Sequence, residues 1–135
     1  MLEDSKIPIR FKLSALWTAL MFCYVYGDYF GLYLPGQLKS MLEGIGPIGP
    51  TNQVSLAAVS VLMLIPSLMT FLPLVLPASL NRWLNMVLAL TYAVIVILTM
   101  PGSWFFYLIL SVVEILLSLL IAWSAWHWPK RSLVP

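Results

Sequence analysis

One segment of the chain reads WFFYLILSVVEILLSLLIAWSAW, residues 104–126, and Glu114 is its only charged residue. A helix of this length extends ~34 Å at ~1.5 Å per residue, which is enough to cross a hydrocarbon core of ~30 Å. The whole chain has the same character, with 61% hydrophobic residues, 9% charged residues and a mean hydropathy of +0.96. Because soluble domains carry roughly 25% charged residues, this composition favours an integral membrane protein.

Four apolar segments are separated by short breaks rich in proline and glycine, such as LPG at 34–36 and MPGS at 100–103. A backbone in lipid has to satisfy its own hydrogen bonds, so each segment is predicted to be a helix. The sequence therefore predicts an all-α domain, residues 1–132, built as a bundle of four transmembrane helices. The predicted helices cover residues 13–34, 54–76, 80–100 and 104–126.

Three other features complete the predicted layout. Pro66 and Pro73 predict kinks in the second helix, because proline removes a backbone donor and clashes with the preceding turn. The long outer loop, 35–53, contains a predicted short helix at 36–44 that would lie in the headgroup layer. Residues 133–135 resemble the beginning of a thrombin-cleavage linker and are interpreted as a tag remnant.

The distribution of lysine and arginine predicts the orientation. Six of the seven basic residues would lie on the side of the two termini, whereas only Lys39 would lie on the other side. Since basic residues concentrate in cytoplasmic loops, both termini are predicted to be cytoplasmic. The protein is therefore predicted to be a multi-pass protein of the inner (plasma) membrane. The six residues are Lys6, Arg10, Lys12, Arg82, Lys130 and Arg131.

Two acidic residues, Asp28 and Glu114, lie within the predicted spans. A carboxylate there costs roughly 2.5–3.5 kcal/mol on insertion scales and often marks a functional site. The helical rise places the two acids at depths that differ by only ~7 Å. No basic residue lies in the spans at that depth. Each acid is thus predicted to be protonated, hydrogen-bonded to hydroxyl groups or neutralised by a bound cation.

Every predicted helix has one face of polar or small residues, and in the first helix Tyr24, Asp28 and Gly31 are predicted to share it. Such faces turn toward other helices in membranes. Gly27 and Gly31 have the four-residue spacing of close helix contacts, so both are predicted to serve helix packing. The candidate ligand- or ion-binding residues are Asp28, Glu114, Tyr24, Tyr92, Tyr107, Ser111 and Ser60. The alternative is that these residues only connect and pack helices.

Three stretches resemble a family of small bacterial four-helix integral membrane proteins that is known as a domain of unknown function. They are LSALWTALMFCYVYGDYFGLYLPGQL at 13–38, NRWLN at 81–85 and YLILSVVEILLSLLIAWSAWHWP at 107–129. The resemblance implies the four-span fold and assigns no catalytic residue. A looser similarity to DoxX-like four-helix proteins concerns helix number and size only.

Two classes of function remain open on the sequence. The first is a small transporter, channel subunit or solute-binding protein that uses the intramembrane carboxylates to hold a proton, a cation or a small polar solute. The second is a non-catalytic accessory protein that binds lipid or a partner. A membrane-embedded acid/base enzyme is a weaker third option, and a homo-oligomer would be needed to enclose a pore. The sequence predicts no metal site, cofactor or nucleic-acid partner.

Overall fold

The structure is a computed structural model that describes residues 1–131. The residues interpreted as a tag remnant, 133–135, lie outside the described residues. The chain is mostly helical, which confirms the all-α prediction. The helices are α1 (Ile9–Gly31), α2 (Gln37–Leu42), α3 (Gln53–Leu68), α4 (Leu72–Val75), α5 (Ala78–Thr99) and α6 (Phe105–Trp126). Two strands of two residues each, β1 (Ile45–Gly46) and β2 (Gly49–Pro50), form an antiparallel pair in the outer loop.

Among the described residues, two helices, α5 and α6, are long and apolar enough to cross a membrane. The helix α3 is apolar but shorter. The helix α1 has 23 residues, but Asp28 and several tyrosines make it less apolar than α5 and α6. Membrane association is therefore supported by two helices, and the prediction of four spans is not established by length and composition alone.

The second predicted helix is interrupted rather than kinked. It divides into α3, which ends at Leu68, and the single turn α4, which begins at Leu72. Pro73 causes the interruption, because a proline within a helix clashes with the carbonyl group one turn before it. Pro73 is instead accommodated in the first turn of α4, where no backbone donor is needed. Pro66 remains inside α3 and is buried.

The core lies among α1, α5 and α6, with α6 packed along both of the other helices. Its centre is formed by fully buried side chains such as Leu13, Trp17 and Leu20 of α1 and Ile121 of α6. The α4 turn contacts α1 and α5, whereas α3 makes its contacts mainly with α1. This arrangement leaves most of α3 outside the core.

The outward surface of the helices is apolar. On α6, the side chains of Val112, Leu116 and Leu119 are 49%, 56% and 48% exposed. Monomeric soluble proteins rarely expose contiguous apolar surface on this scale. The interior of the bundle, by contrast, contains buried polar residues such as Asn85 and Glu114.

Candidate functional site

Glu114 lies in the middle of α6 and is buried, with 4% of its surface exposed. Asp28 on α1 is exposed instead. This corrects the prediction that Tyr24 and Asp28 share the inward face of α1. The buried residues of α1 are Leu13, Trp17, Leu20, Tyr24 and Gly27. Because Gly27 and not Asp28 faces α6, the Asp28 side chain is turned by one residue, about 100°, away from the helix contact.

The helices α1 and α6 meet at Gly27, which lies against Glu114 and Leu110. A Cβ atom at Gly27 would lie 4.0 Å from Glu114 Oε1 and 3.5 Å from Leu110 Cδ1. The carboxyl groups of Asp28 and Glu114 remain close enough to interact electrostatically, although only one of them is buried. The structure therefore brings both acids to the same level of the bundle but not into one enclosed space.

Three hydroxyl groups around Glu114 have no hydrogen-bond partner among the described residues: those of Tyr24, Ser111 and Ser118. Ser111 and Ser118 flank Glu114 on the same face of α6 and are fully buried. Tyr24 reaches this face from α1, and its hydroxyl group approaches that of Ser118 without forming a hydrogen bond of good geometry. We refer to Tyr24, Ser111, Glu114 and Ser118 as the Glu114 cluster.

Unpartnered hydroxyl groups are unusual in a buried site. More than 90% of buried polar groups in proteins have a partner, and an unsatisfied one costs about 1–3 kcal/mol. Elsewhere in this chain the helical hydroxyl groups donate to the carbonyl group one turn earlier, as Thr18 does to Ser14 and Thr91 does to Val87, each at 2.8 Å. The hydroxyl groups of the Glu114 cluster thus remain free to form hydrogen bonds with a ligand.

The hydroxyl group of Tyr92, another candidate ligand, is already engaged. Tyr92 is buried on α5, and its ring centroid lies 6.3 Å from that of Tyr24. Its hydroxyl group donates to the carbonyl group of Leu62 on α3. Pro66 stands four residues after Leu62 and has no N–H group to offer that carbonyl. Tyr92 therefore completes the hydrogen bonding of a proline-containing helix and ties α5 to α3.

Three other predicted residues lie away from the Glu114 cluster. Tyr107 pairs its hydroxyl group with Thr99 Oγ1 at 2.7 Å, near the junction of α5 and α6. Ser60 is exposed on α3 and donates to the Leu56 carbonyl group, because the part of α3 that carries it lies outside the core. Gly31 has no atom within 4 Å of a Cβ position, so only Gly27 of the glycine pair makes a close helix contact.

The sequence did not predict a second buried polar cluster, which is formed by Asn81, Asn85 and Trp17. Trp17 Nε1 donates to Asn85 Oδ1 at 2.8 Å, and Asn85 Nδ2 donates to Asn81 Oδ1 at 2.6 Å. Asn81 Nδ2 then donates to the carbonyl group of Pro73 at 2.7 Å. The signal for it was the four-residue spacing of two asparagines in an apolar segment that follows a proline break.

Further hydrogen bonds satisfy backbone carbonyl groups at the same break between α3 and α5. Arg10 donates through Nη1 to the carbonyl groups of Pro73 and Leu76, at 3.1 and 2.5 Å, and Ser14 donates to that of Thr70 at 2.5 Å. This network is satisfied internally and serves the interrupted helix. The Glu114 cluster, whose hydroxyl groups are not satisfied, is the better candidate for binding. Among residues 1–131, no group of three or more histidine, cysteine or acidic side chains could hold a metal ion.

Comparison with known families gives one finding for nearly the whole length of the chain. A family model described as "Family of unknown function (DUF6326)" matches residues 6–135. No curated protein and no solved structure matches the chain. The resemblance to a family of unknown function is confirmed to this extent, while the likeness to DoxX-like proteins stays a prediction.

Proposed function

The chain belongs to DUF6326, a family of unknown function, and we propose that it is a multi-pass plasma-membrane protein whose Glu114 cluster binds and releases a proton or a small cation. The function would be that of a small transporter, a channel subunit or an ion-binding protein. The observation that carries the proposal is a buried acidic residue, Glu114, in a buried helix contact that also contains three hydroxyl groups without partners among the described residues.

Insertion as four spans is supported by the surface and the connections. The helices α1, α5 and α6 each have 22 or 23 residues, and α3 with α4 extends over residues 53–75. The break between α3 and α4 is compatible with lipid, because interrupted backbone is tolerated where protein side chains satisfy it. The excess of basic residues on the predicted side of the termini supports cytoplasmic termini.

The Glu114 cluster can form hydrogen bonds with both the ionised and the protonated carboxyl group. An ionised carboxylate would accept hydrogen bonds from the hydroxyl groups of Tyr24, Ser111 and Ser118. A protonated carboxyl group would donate to one of the same oxygens. The long helices carry basic residues only near the starts of α1 and α5, so charge compensation at Glu114 has to come from a proton or a bound cation. Carboxylate and hydroxyl oxygens are also suitable ligands for a hard cation.

The clefts of the molecule favour a small occupant. One cleft, of about 410 Å³, lies at residues 103–106, and another, of about 200 Å³, lies between the start of α5 and the residues that follow α6. Both are at helix ends, whereas the Glu114 cluster is in the middle of the bundle. Since neither of these two clefts lies at the cluster, we propose a proton or a bare cation as its occupant rather than an organic solute or an enzyme substrate.

Asp28 provides an exposed group beside the buried one. Its carboxyl group interacts electrostatically with that of Glu114, and Glu114 in turn lies close enough to act on Cys23 and Tyr24 of α1. Tyr92 of α5 lies behind Tyr24. Acidic residues within membrane spans often mark ion or proton pathways. We therefore assign Asp28 the role of receiving the ion before it reaches Glu114.

The proposal is tested with the full chain in liposomes. Glu114→Gln keeps the size of the side chain but removes its titration, and Glu43→Gln, in the outer loop, is the matched control. We expect the wild type and Glu43→Gln to give pH-gradient-driven uptake of protons or cations, measured with an enclosed indicator dye. Glu114→Gln should fold and lose this uptake. The infrared carbonyl band of a titrating buried acid should disappear in the same variant.

Two results would contradict the proposal. One is a wild-type protein without ion flux and without a titrating buried carboxyl band. The other is a Glu114→Gln variant with normal flux. The first result would favour the alternative function, a non-catalytic accessory protein in which the cluster connects helices.

A further inference from the structure

A basic and aromatic cleft lies between the first turns of α5 and the residues that follow α6. It has a volume of about 200 Å³, and its charged lining residues, Arg82 and Lys130, are both basic. The remaining lining side chains include two tryptophans and a serine hydroxyl group. We call it the basic cleft, and the residues that matter here are Ala78, Ser79, Arg82, Trp83, Trp128 and Lys130.

Arg82 is held in place at the wall of this cleft. Its guanidinium carbon lies 5.7 Å from the ring centroid of Trp83 and 5.3 Å from that of Trp126. Its Nη2 donates to the Trp126 carbonyl group at 3.3 Å, whereas its Nε has no partner among the described residues. Cation–π contacts on two rings orient the guanidinium group. Arg82 is therefore preorganised, and its Nη groups can donate to an anionic acceptor.

The surroundings of the basic cleft add to its positive potential. Arg10 lies 5.8 Å from the ring centroid of Trp128, on the wall formed by that residue. Ser79 offers a hydroxyl group at the first turn of α5, which has no side-chain cap. The tryptophans Trp83 and Trp126 are more than half exposed, as is typical of side chains at the level of lipid headgroups.

We propose that the basic cleft binds the phosphate group of an anionic phospholipid in the cytoplasmic leaflet. A rigid arginine, a mobile lysine and a hydroxyl group form a donor set for phosphate oxygens. The tryptophan rings would lie beside the glycerol and upper acyl region of the same lipid. Basic pockets at the cytoplasmic ends of membrane helices are suited to such headgroups. This inference rests on the proposed membrane insertion and does not depend on the Glu114 cluster.

The test uses the detergent-solubilised full chain titrated with phosphatidylglycerol, with bound lipid counted by native mass spectrometry. Phosphatidylcholine is the neutral comparison lipid. Lys130→Gln removes one cation from an exposed position and should weaken phosphatidylglycerol binding about fivefold, the effect of one basic residue near an anionic membrane surface. Arg82→Lys keeps the charge but loses the planar donor group and should also weaken binding. Lys39→Gln, in the outer loop, is the control and should bind as the wild type does.

The outcomes separate the alternatives. Equal wild-type binding of phosphatidylglycerol and phosphatidylcholine overturns the proposal, and so does an equal loss of binding in Lys39→Gln and Lys130→Gln. Displacement of phosphatidylglycerol by an equal concentration of inorganic phosphate would assign the site to a soluble anion and overturn the lipid assignment. Glu114→Gln should leave lipid binding unchanged, so that failure of the proposed ion binding does not affect this result.

Discussion

Gly27 of α1 lies against the carboxyl group of Glu114 in α6, at a distance where a Cβ atom would come 4.0 Å from Oε1. The small size of Gly27 suits this close contact, because the space left between the two helices holds no more than a methyl group. The neighbouring Asp28 is consequently directed outward. This single contact determines which of the two acids is enclosed by the bundle.

The space at Gly27 is expected to admit one methyl group but not a larger side chain. Gly27→Ala makes only ordinary contacts and should stabilise α1 by about 0.5–1 kcal/mol through its higher helix propensity. Gly27→Leu should destabilise the protein by about 1–3 kcal/mol through overpacking against α6. Thermal unfolding followed by circular dichroism in detergent measures both changes. Gly31→Leu is the control and should be tolerated, because nothing lies within 4 Å of its Cβ position.

Removing an unpartnered hydroxyl group from the Glu114 cluster is expected to raise stability. Ser118→Ala takes away a buried hydroxyl group that has no partner among residues 1–131, so the free energy of unfolding should increase by about 1 kcal/mol. Ser60→Ala is the matched control, because the Ser60 hydroxyl group is exposed and bonded within its own helix. Its stability should change little. A Ser118→Ala variant that unfolds more easily than Ser60→Ala would argue against an unsatisfied cluster.

The hydrogen bond from Tyr92 to Leu62 is expected to depend on Pro66. Tyr92→Phe should lower stability by about 1 kcal/mol, a typical value for a bond between membrane helices. Pro66→Ala supplies an N–H group that can bond to the Leu62 carbonyl group within α3. In that background Tyr92→Phe should have a smaller effect. A double-mutant cycle of unfolding free energies measures this coupling, and strictly additive effects would show that the two residues act independently.

Replacing Trp17, which donates to the asparagine network, should cost more stability than replacing an exposed tryptophan. Trp17→Phe leaves Asn85 Oδ1 without its donor inside the bundle and should reduce stability by on the order of 2 kcal/mol. Trp104→Phe changes a side chain that is 58% exposed and should have little effect. Both are measured by chemical or thermal unfolding. Similar losses in the two variants would mean that the hydrogen bond to Asn85 contributes nothing.

The two acidic residues are expected to respond differently to neutralisation. Asp28→Asn removes a carboxyl group from the exposed side of α1, so it should raise thermal stability in lipid and slow ion uptake without abolishing it. Glu114→Gln should abolish uptake. The measurement is dye-reported flux in liposomes together with the unfolding temperature. Equal flux in Asp28→Asn and the wild type would remove Asp28 from the ion path.

Much of the fold was accessible without coordinates, because it depends on local properties of the chain. The apolar segments at 80–100 and 104–126 correspond closely to Ala78–Thr99 and Phe105–Trp126. The short helix expected at 36–44 is present as Gln37–Leu42 and is followed by Gly44 at φ +85°. The second predicted helix was wrong as a continuous element, since Pro73 interrupts it instead of bending it.

The candidate site was predicted only in part, because its residues were chosen by type and spacing. Glu114 and Ser111 of α6 and Tyr24 of α1 are all buried, as expected of polar helix faces that turn toward other helices. Ser60 and Tyr107 have the same chemistry but use their hydroxyl groups elsewhere. Ser118, which was not a candidate ligand, proved to carry one of the unpartnered hydroxyl groups.

The amino-acid sequence alone determined that this chain forms apolar helices, where prolines and glycines end them and that two acids lie among them. These are consequences of hydrophobicity and backbone geometry, which act within a few residues. Only the tertiary structure decided that Gly27 rather than Asp28 meets α6 and that Tyr92 bonds to Leu62. One step along a helix turns a side chain by about 100°, and the partner helix α6, which selects the inward face of α1, begins 74 residues after α1 ends.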